Sequence, residues 1–328
     1  MTAAKECPVP EPLISPAVKA ALENSRFGRI GLGVGRPVVR FIRKLRDPVR
    51  HKVWIRQFGL PLRNAMLLNR PVTASFDGIT VRLHPRGATA GDFWAGIRCE
   101  THEVSFILRV LERGMNFFDV GANAGLFAIS AAKKIGGMGV IAFEPCSLTC
   151  DLLQQNLLLN GLADVKVVQK ALGDSVGAGV LQINARGKDG LNTLGRATHP
   201  DSHVVGQEDV SITTVDVFMR QHNITRVDVM KVDIEGAELM FFRGAKNLLE
   251  RTDAPLILYE GFGFLSRGFG YHPVEILWFL ESCGYTLFLL NSETGEISEL
   301  RDDYQYNSMV IAVKPGHPAY SGIRGGMR

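Results

Sequence analysis

Short apolar runs alternate with segments of helical spacing between residues 115 and 313, and this alternation restricts the fold more than any other feature. Strands that are buried on both faces of a sheet read as continuous apolar runs, and helical connections between them make neighbouring strands parallel. We therefore predict an α/β domain with a doubly wound, mostly parallel sheet that helices cover on both faces. The runs are MNFFDV (115–120), GVIAFE (139–144), VKVVQKAL (165–172), VDVMKVDI (227–234), PLILYE (255–260), YTLFLLN (285–291) and NSMVIAV (307–313).

Other segments around these runs predict a hairpin, an insertion and an antiparallel pair of strands. Residues 72–84 alternate apolar and polar side chains around Asp77-Gly78, which is a hairpin signal. Residues 174–214 are rich in glycine and polar residues, and they predict an insertion that contains a ribbon. No helical pattern separates the last two apolar runs, so we expect these two strands to pair antiparallel.

The chain of 328 residues divides by pattern into three parts. Residues 1–70 form an N-terminal extension, residues 71–315 form the main domain, and residues 316–328 form a tail that we expect to be flexible. Within the extension, residues 26–70 hold twelve Lys or Arg and a single acid, which gives a net charge of +11. A basic extension therefore precedes a mildly acidic body.

Pro37 and Pro48 bracket, within this basic segment, a pattern typical of a short amphipathic helix. Such a helix either packs on the body with a solvated face or contacts an anionic membrane surface. Aromatic residues are sparse among the basic ones, which disfavours nucleic-acid binding. We therefore treat packing on the body as the first interpretation, an anionic membrane surface as the alternative partner of residues 26–70, and nucleic acid as the weakest.

Composition and cysteine usage exclude several classes of protein. Apolar residues make up 46% and charged residues 21%, values that exclude disordered, collagen-like and disulfide-scaffold chains. The sequence has no run of 18 or more apolar residues, and its N-terminus lacks the pattern of a signal peptide. The five cysteines are sparse, so we expect a reduced, cytoplasmic compartment, with peripheral contact to the inner membrane face left open.

The segment FDVGANAG (118–125) joins the first apolar run to a helical pattern, and ligands of open α/β sheets bind at such turns. Gly121 and Gly125 allow a tight turn and the close approach of a ligand. Their spacing differs from the G-x-G-x-x-G of dinucleotide binders, which disfavours a pyrophosphate site. Glu144 at the end of the next run can accept both hydroxyls of a ribose, and an acidic site suits a cationic ligand. S-adenosylmethionine, which carries an adenosine and a sulfonium, fits these features.

Four stretches extend this interpretation to a known family. They are FFDVGANAGLFAISAA (117–132), VIAFEP (140–145), TTVDVF (213–218) and MKVDIEGAELMFFRGAKNLL (230–249). In these stretches the sequence resembles the FkbM family of S-adenosylmethionine-dependent methyltransferases, which have the class I methyltransferase fold. The resemblance covers roughly residues 100–313 and implies a seven-stranded sheet with the last strand antiparallel. It also implies methyl transfer to a hydroxyl of a small-molecule or glycan acceptor, that is, a sugar, glycolipid or secondary metabolite.

For the cofactor, the resemblance implies binding by the first turn and the neighbouring strand ends. Asp119 would orient the loop or reach the methionine amine, with a cap on the following helix as the alternative. The Asn123 amide would either brace the turn or bind the methionyl carboxylate. Ala171 ends the third run, where contact with adenine would come mainly from backbone and packing. The predicted cofactor-binding set is Asp119, Gly121, Ala122, Asn123, Gly125, Glu144 and Ala171.

Acidic residues that follow the fourth run supply the main catalytic candidates. Asp233 and Glu235 stand before a sharp turn allowed by Gly236, and Glu238 is assigned to the N-terminus of the next helix. Asp233 is the preferred base or acceptor of the substrate hydroxyl, with Glu235 beside it. His272 ranks first among the histidines because it precedes a proline at a helix start after the fifth run.

Metal binding and two other functions are the alternatives to this interpretation. Asp233 with Glu260 can bind a hard divalent ion through oxygen ligands, but the spacing indicates no third ligand, so we predict no metal. The alternative functions are a nucleic-acid methyltransferase that uses the basic arm and a non-catalytic cofactor-binding or membrane-docked protein.

Overall fold

The computed structural model describes residues 72–76, 78–83, 101–185, 188–301 and 304–326. All of them belong to the second of the two units into which the chain divides, Ile55–Arg328. The predicted extension of residues 1–70, with its basic helix, lies outside the described residues. Within those residues, no helix combines the length and the apolar character that crossing a membrane requires.

Strands and helices alternate along most of the described chain. The strands are β1 Val72–Phe76, β2 Ile79–Leu83, β3 Phe117–Val120, β4 Val140–Phe143, β5 Lys166–Val168, β6 Ala171–Leu172, β7 Gly177–Asn184, β8 Val204–Thr213, β9 Val229–Val232, β10 Leu256–Phe262, β11 Thr286–Leu290, β12 Ile297–Glu299 and β13 Asn307–Val313. The helices are α1 Thr101–Val110, α2 Leu126–Ile135, α3 Ser147–Leu159, α4 Val215–Gln221, α5 Glu238–Gly244, α6 Lys246–Leu249, α7 Gly263–Ser266, α8 Val274–Ser282 and α9 Tyr320–Arg324.

The main sheet has eight strands in the order β12-β11-β13-β10-β9-β3-β4-β5. The chain enters the sheet in the middle at β3, runs outward through β4 and β5, and then returns to build the other half from β9. Val120 at the end of β3 pairs in parallel with Phe143 of β4 on one side and with Val232 of β9 on the other. The residues that follow these three strands therefore meet at one edge of the sheet, where the strand order reverses.

Helices pack on both faces of this sheet, as the sequence pattern predicts for a doubly wound fold. Along β10, Leu256 and Leu258 belong to one buried apolar cluster, whereas Ile257 and Tyr259 belong to the other. Alternation of this kind is expected of a strand that is covered on both sides. The predicted hairpin is also confirmed, because β1 and β2 pair antiparallel.

The predicted count of seven strands is wrong, because β12 adds an eighth at the edge. This strand, Ile297–Glu299, has the sequence ISE and pairs antiparallel with β11. Three residues with one apolar side chain are too few to show a hydrophobic period, so the sequence could not indicate this strand. The antiparallel pairing of the last two apolar runs is confirmed, since β13 pairs antiparallel with β11 and also with β10.

Two segments that read as single elements are each divided in the structure. The run at 165–172 splits into β5 in the main sheet and β6 in a separate three-stranded sheet of order β6-β8-β7. The helical pattern at 237–250 splits into α5 and α6 at Ala245. The ribbon predicted for the insertion at 174–214 is confirmed as the antiparallel pair β7 and β8.

The segment after Pro315 differs from the flexible tail that the sequence predicts. Helix α9 forms there, and Ile323 is 1% exposed within the apolar cluster on one face of the sheet. Tyr320 at the start of the same helix makes an edge contact with the Phe288 ring at 6.3 Å between centroids. The glycines of this segment suggested fraying, but two apolar side chains are enough to dock one helical turn.

Candidate active site

A cavity of about 320 Å³ opens at the sheet edge where the ends of β3, β4 and β9 meet. Cavities of roughly this size and larger hold small-molecule ligands in proteins. Its wall combines the turn after β3, the ends of β4 and β6, part of the insertion, and the ends of β9 and β10. The predicted site residues among its lining are Gly121, Ala122, Asn123, Glu144, Ala171, Asp233 and Glu235, together with Glu260.

The turn after β3 is held in place by β4 and by the turn after β9. The amides of Gly121 and Ala122 both donate to the carbonyl oxygen of Phe143, at 3.0 and 2.9 Å. Gly121 has a φ of +77°, and a Cβ at this position would lie 1.9 Å from the carbonyl oxygen of Asp233. Glycine is therefore required here by backbone conformation and by space. Asn123 shares the left-handed conformation, with a φ of +48°.

Asp119 is fully buried in β3, and it does not line the cavity. Its Oδ2 accepts a hydrogen bond of 2.8 Å from the amide of Ala128 in the first turn of α2, which is the capping role proposed as the alternative. Its Oδ1 is buried without a hydrogen-bond partner among the described residues. Burial raises the pKa of this carboxyl to about 6, although Lys231 opposes the shift.

Glu144 joins the end of β4 to the turn after β3. Its Oε2 accepts from the amide of Asn123 at 3.0 Å, and its Oε1 accepts from the amide of Cys146 at 3.1 Å. The carboxyl is 7% exposed and lines the cavity, and burial raises its pKa to about 7. Each carboxylate oxygen has a second lone pair, so both can accept a further hydrogen bond from a ligand in the cavity.

The raised pKa of Glu144 predicts a pH dependence of stability. The pKa of this carboxyl is about 7 in the folded protein and 4.5 in the unfolded chain. Its contribution to stability is therefore fully present below pH 4.5 and is lost as the pH rises through about 7. The loss amounts to about 3 kcal/mol at most. From about pH 5 to pH 8, the free energy of unfolding should therefore fall less for Glu144→Gln than for the wild type. Urea unfolding across this range measures the difference, and parallel curves for the two proteins would contradict the prediction.

Three carboxyl groups converge on the other side of the cavity. One oxygen of each of Asp233, Glu235 and Glu260 lies within 4.8 Å of the others. Asp233 is paired with the Nζ of Lys231 at 3.0 Å, and that Nζ also donates to the Gly121 carbonyl at 3.2 Å. Burial, with the charge of Asp233, raises the pKa of Glu235 to about 9. The sequence predicted that Asp233 and Glu235 would lie together at the sheet edge, but it did not indicate Glu235 as a third acid beside Glu260.

Glu238 does not line the cavity but closes the turn that carries Asp233 and Glu235. Its Oε1 accepts from the amides of Ile234 and Gly236, each at 3.2 Å, at the start of α5. This arrangement agrees with its assignment to the helix N-terminus. Glu235 adopts a φ of +55°, a conformation uncommon outside glycine, and the turn directs its side chain to the cavity.

His272 is not brought to the acids. It is exposed, and it is absent from the cavity lining. Its amide donates to Oε1 of Glu275 at 2.9 Å, and its Nδ1 accepts from the amide of Val274 at 3.3 Å. These contacts make His272 a capping residue of α8, so its selection as a catalytic candidate is not supported by its position.

The insertion supplies part of the cavity wall. Gly190, Leu191, Asn192 and Leu194 line it, and Thr193 donates to the carbonyl of Glu235 at 2.9 Å. A buried side chain, Asn184, holds the ends of this loop together. Its Nδ2 donates to the Leu191 carbonyl at 2.6 Å, while its Oδ1 accepts from Ser202 and from the His203 amide, each at 2.7 Å.

A family model described as the Methyltransferase FkbM domain matches residues 119–287. The match covers slightly more than half of the 328 residues. It includes the turn after β3, Glu144, the insertion and the three converging carboxyls. The chain belongs to the FkbM methyltransferase family.

Three curated relatives show how far the similarity reaches. Methyltransferase sdnD of Sordaria araneosa is 30% identical over 152 residues, which cover 38% of this chain and 58% of that protein. Hexuronic acid methyltransferase AglP of Haloferax volcanii is 24% identical, with coverage of 58% and 74%. The 31-O-demethyl-FK506 methyltransferase FkbM of Streptomyces tacrolimicus is 27% identical, with coverage of 51% and 76%. The chain thus matches less than two thirds of the first relative's length.

Proposed function

We propose that this chain transfers a methyl group from S-adenosylmethionine to a hydroxyl of a sugar, glycolipid or secondary metabolite. One observation carries the proposal. The glycine turn after β3, the Glu144 carboxyl and the carboxyl group of Asp233 line a single cavity at the point where the strand order reverses. Ligands of open α/β sheets bind at such a point.

The described residues fit the proposed donor in shape and charge. Gly121 lines the cavity, and its lack of a side chain lets the turn after β3 pack against the Asp233 backbone, which brings the ends of β3 and β9 together at the site. Glu144 offers acceptor capacity for ribose hydroxyls, and Ala171 is a small apolar residue in the same wall. Among the described residues, the lining holds four acidic side chains, Glu144, Asp233, Glu235 and Glu260, which can accept hydrogen bonds from the donor or interact with its positively charged sulfonium.

S-adenosylmethionine, when bound, supplies an electrophilic methyl group on its sulfonium. The chain then has to hold the acceptor hydroxyl in line with that methyl group and take up its proton, and positioning is the larger of the two contributions. Asp233 faces the cavity and is ion-paired with Lys231, so we assign the proton to one of its carboxylate oxygens. Glu235 lies beside Asp233 in the same wall, and its pKa of about 9 applies to the cavity without a bound cation.

The names of two relatives and the chemistry of the cavity wall support the proposed acceptor class. The names of two relatives refer to a hexuronic acid and to 31-O-demethyl-FK506, one a sugar acid and the other a secondary metabolite. Leu191, Asn192 and Leu194 of the insertion give the cavity both apolar and amide groups. We therefore place the acceptor between the insertion and the carboxyls of Asp233 and Glu235.

A transfer assay tests the proposal. The full chain is incubated with S-adenosylmethionine labelled in its methyl group and with fractions of a cell extract that are enriched in glycans, lipids, small metabolites or nucleic acids. We expect label in the glycan, lipid or metabolite fraction, in a form that resists mild base as an ether does. Label confined to nucleic acid, or no transfer into any fraction, would contradict the proposed acceptor.

A further inference from the structure

We infer that Asp233, Glu235 and Glu260 form a binding site for a hard divalent cation. The site goes beyond the proposed methyl transfer and does not depend on it. Its geometry follows from the sheet, because β9 and β10 are parallel neighbours in which Val232 pairs with Tyr259. Asp233 and Glu260 each come one position after these paired residues, and the turn at Glu235 adds the third carboxyl.

The separations of the oxygen atoms suit a cation of this class. One oxygen from each of Asp233, Glu235 and Glu260 lies within 4.8 Å of the other two. Oxygens on opposite sides of an ion are about 4.1 Å apart around Mg²⁺ and about 4.6–5.2 Å apart around Ca²⁺, twice the metal–oxygen distance. These values are the largest separations within one coordination shell, so the three oxygens lie within the span of a Ca²⁺ shell, and a small inward rotation of the side chains would bring them within that of Mg²⁺.

A second observation points to a ligand at this position. The Oε2 atom of Glu260 is fully buried and has no hydrogen-bond partner among the described residues. A buried carboxylate oxygen without a partner is costly, and native proteins satisfy nearly all such atoms. Asp233 and Glu235, which lie beside the Glu260 carboxyl, are themselves carboxyls and cannot donate once ionised. A cation among the three satisfies this oxygen.

The charge balance also favours a divalent ion. The three carboxylates carry a charge of −3 when ionised, and the Lys231 ammonium at 3.0 Å from Asp233 contributes +1. Two negative charges remain, which equals the charge of one divalent cation. Glu238 lies close by, but its Oε1 already accepts two backbone amides at the start of α5.

The donor atoms determine which class of metal fits. All three ligands are carboxylate oxygens, which hard cations such as Mg²⁺, Ca²⁺ and Mn²⁺ prefer, whereas zinc sites use mainly His and Cys. Asp233, Glu235 and Glu260 all line the cavity, so coordination positions not taken by the protein would face it. Those positions are open to water or to the oxygens of a polyhydroxylated acceptor.

The test titrates Mn²⁺ alone into the full chain and follows free Mn²⁺ by electron paramagnetic resonance. We expect one Mn²⁺ per chain with a Kd below about 1 mM, displaced by Mg²⁺ or Ca²⁺. Glu260→Gln should weaken binding by at least about tenfold. The matched control is Glu299→Gln, an exposed acid on β12, which should bind as the wild type does. No binding to the wild type, or unchanged binding to Glu260→Gln, would overturn the proposal.

A measurement on the wild type keeps the test valid if the variant does not fold. Fe²⁺ replaces Mn²⁺, and ascorbate with peroxide then generates hydroxyl radicals that cut the backbone near the bound metal. We expect cuts close to residues 233–235 and 260, suppressed by excess Mg²⁺, and cuts elsewhere would refute the site. S-adenosylmethionine is absent from both experiments, so failure of donor binding and failure of metal binding are seen separately.

Discussion

Replacement of Gly121 by alanine is expected to abolish binding of S-adenosylmethionine. The new Cβ would lie 1.9 Å from the carbonyl oxygen of Asp233, and the residue would have to keep a φ of +77°. A backbone carbonyl cannot rotate away as a flexible side chain can, so the turns after β3 and β9 must separate. We expect a loss of more than about 100-fold in affinity, or about 2.7 kcal/mol, and a fall of about 3 kcal/mol in unfolding free energy. Calorimetry with the donor and urea unfolding measure the two effects.

Gly161→Ala is the matched control for this substitution. Gly161 follows α3 with a φ of +72°, close to that of Gly121, but a Cβ there would meet no atom of the described residues within 4 Å. It therefore incurs the conformational cost, about 1 kcal/mol, without the steric overlap. Donor binding should be retained in this variant. Equal losses in the two variants would show that the contact between the turns does not shape the donor site.

Replacement of Asp233 by asparagine is expected to remove turnover while the donor still binds. The amide keeps the shape of the side chain but cannot take the proton of the acceptor hydroxyl, and a positioned base contributes about 10²–10⁴-fold in rate. Glu144 and the turn at Gly121 are unchanged, so the affinity for S-adenosylmethionine should stay close to that of the wild type. Single-turnover transfer from labelled donor measures the rate, and calorimetry measures the affinity.

His272→Gln supplies the comparison for Asp233→Asn. His272 caps α8 and lies outside the cavity lining, so its replacement should leave the transfer rate unchanged. Full activity in Asp233→Asn together with a large loss in His272→Gln would reverse the assignment of the base. A loss of donor binding in Asp233→Asn would instead indicate that the residue acts in the donor site.

The sequence was sufficient to predict the parts of the site that depend on strand ends. Gly121, Glu144 and Asp233 each come directly after a buried parallel strand, and pairing of Val120 with Phe143 and with Val232 brings those ends together. The strands are apolar on both faces, so they appear in the sequence as continuous apolar runs. Their carboxyl ends share one edge of the sheet. Local patterns thus determine this part of the site.

Features that depend on long-range packing were not predictable from local patterns. Glu235 was expected beside Asp233, but its approach to Glu260 depends on a left-handed backbone conformation at Glu235 that the spacing does not indicate. His272 ranked high by its position after β10, but α7 and the start of α8 carry the chain elsewhere. The loop between β7 and β8 lines the cavity because the buried Asn184 holds its ends together. Each depends on contacts between residues distant in sequence or on backbone geometry.

The cavity beside Gly121 is proposed to bind S-adenosylmethionine, and a crystal structure of the chain grown with this donor tests that binding. We predict electron density for the donor between Gly121 and Glu144, with ribose hydroxyls within about 3 Å of the Glu144 carboxylate oxygens. Density for the donor at another location, or a cavity filled by the protein's own side chains at saturating donor, would contradict the claim.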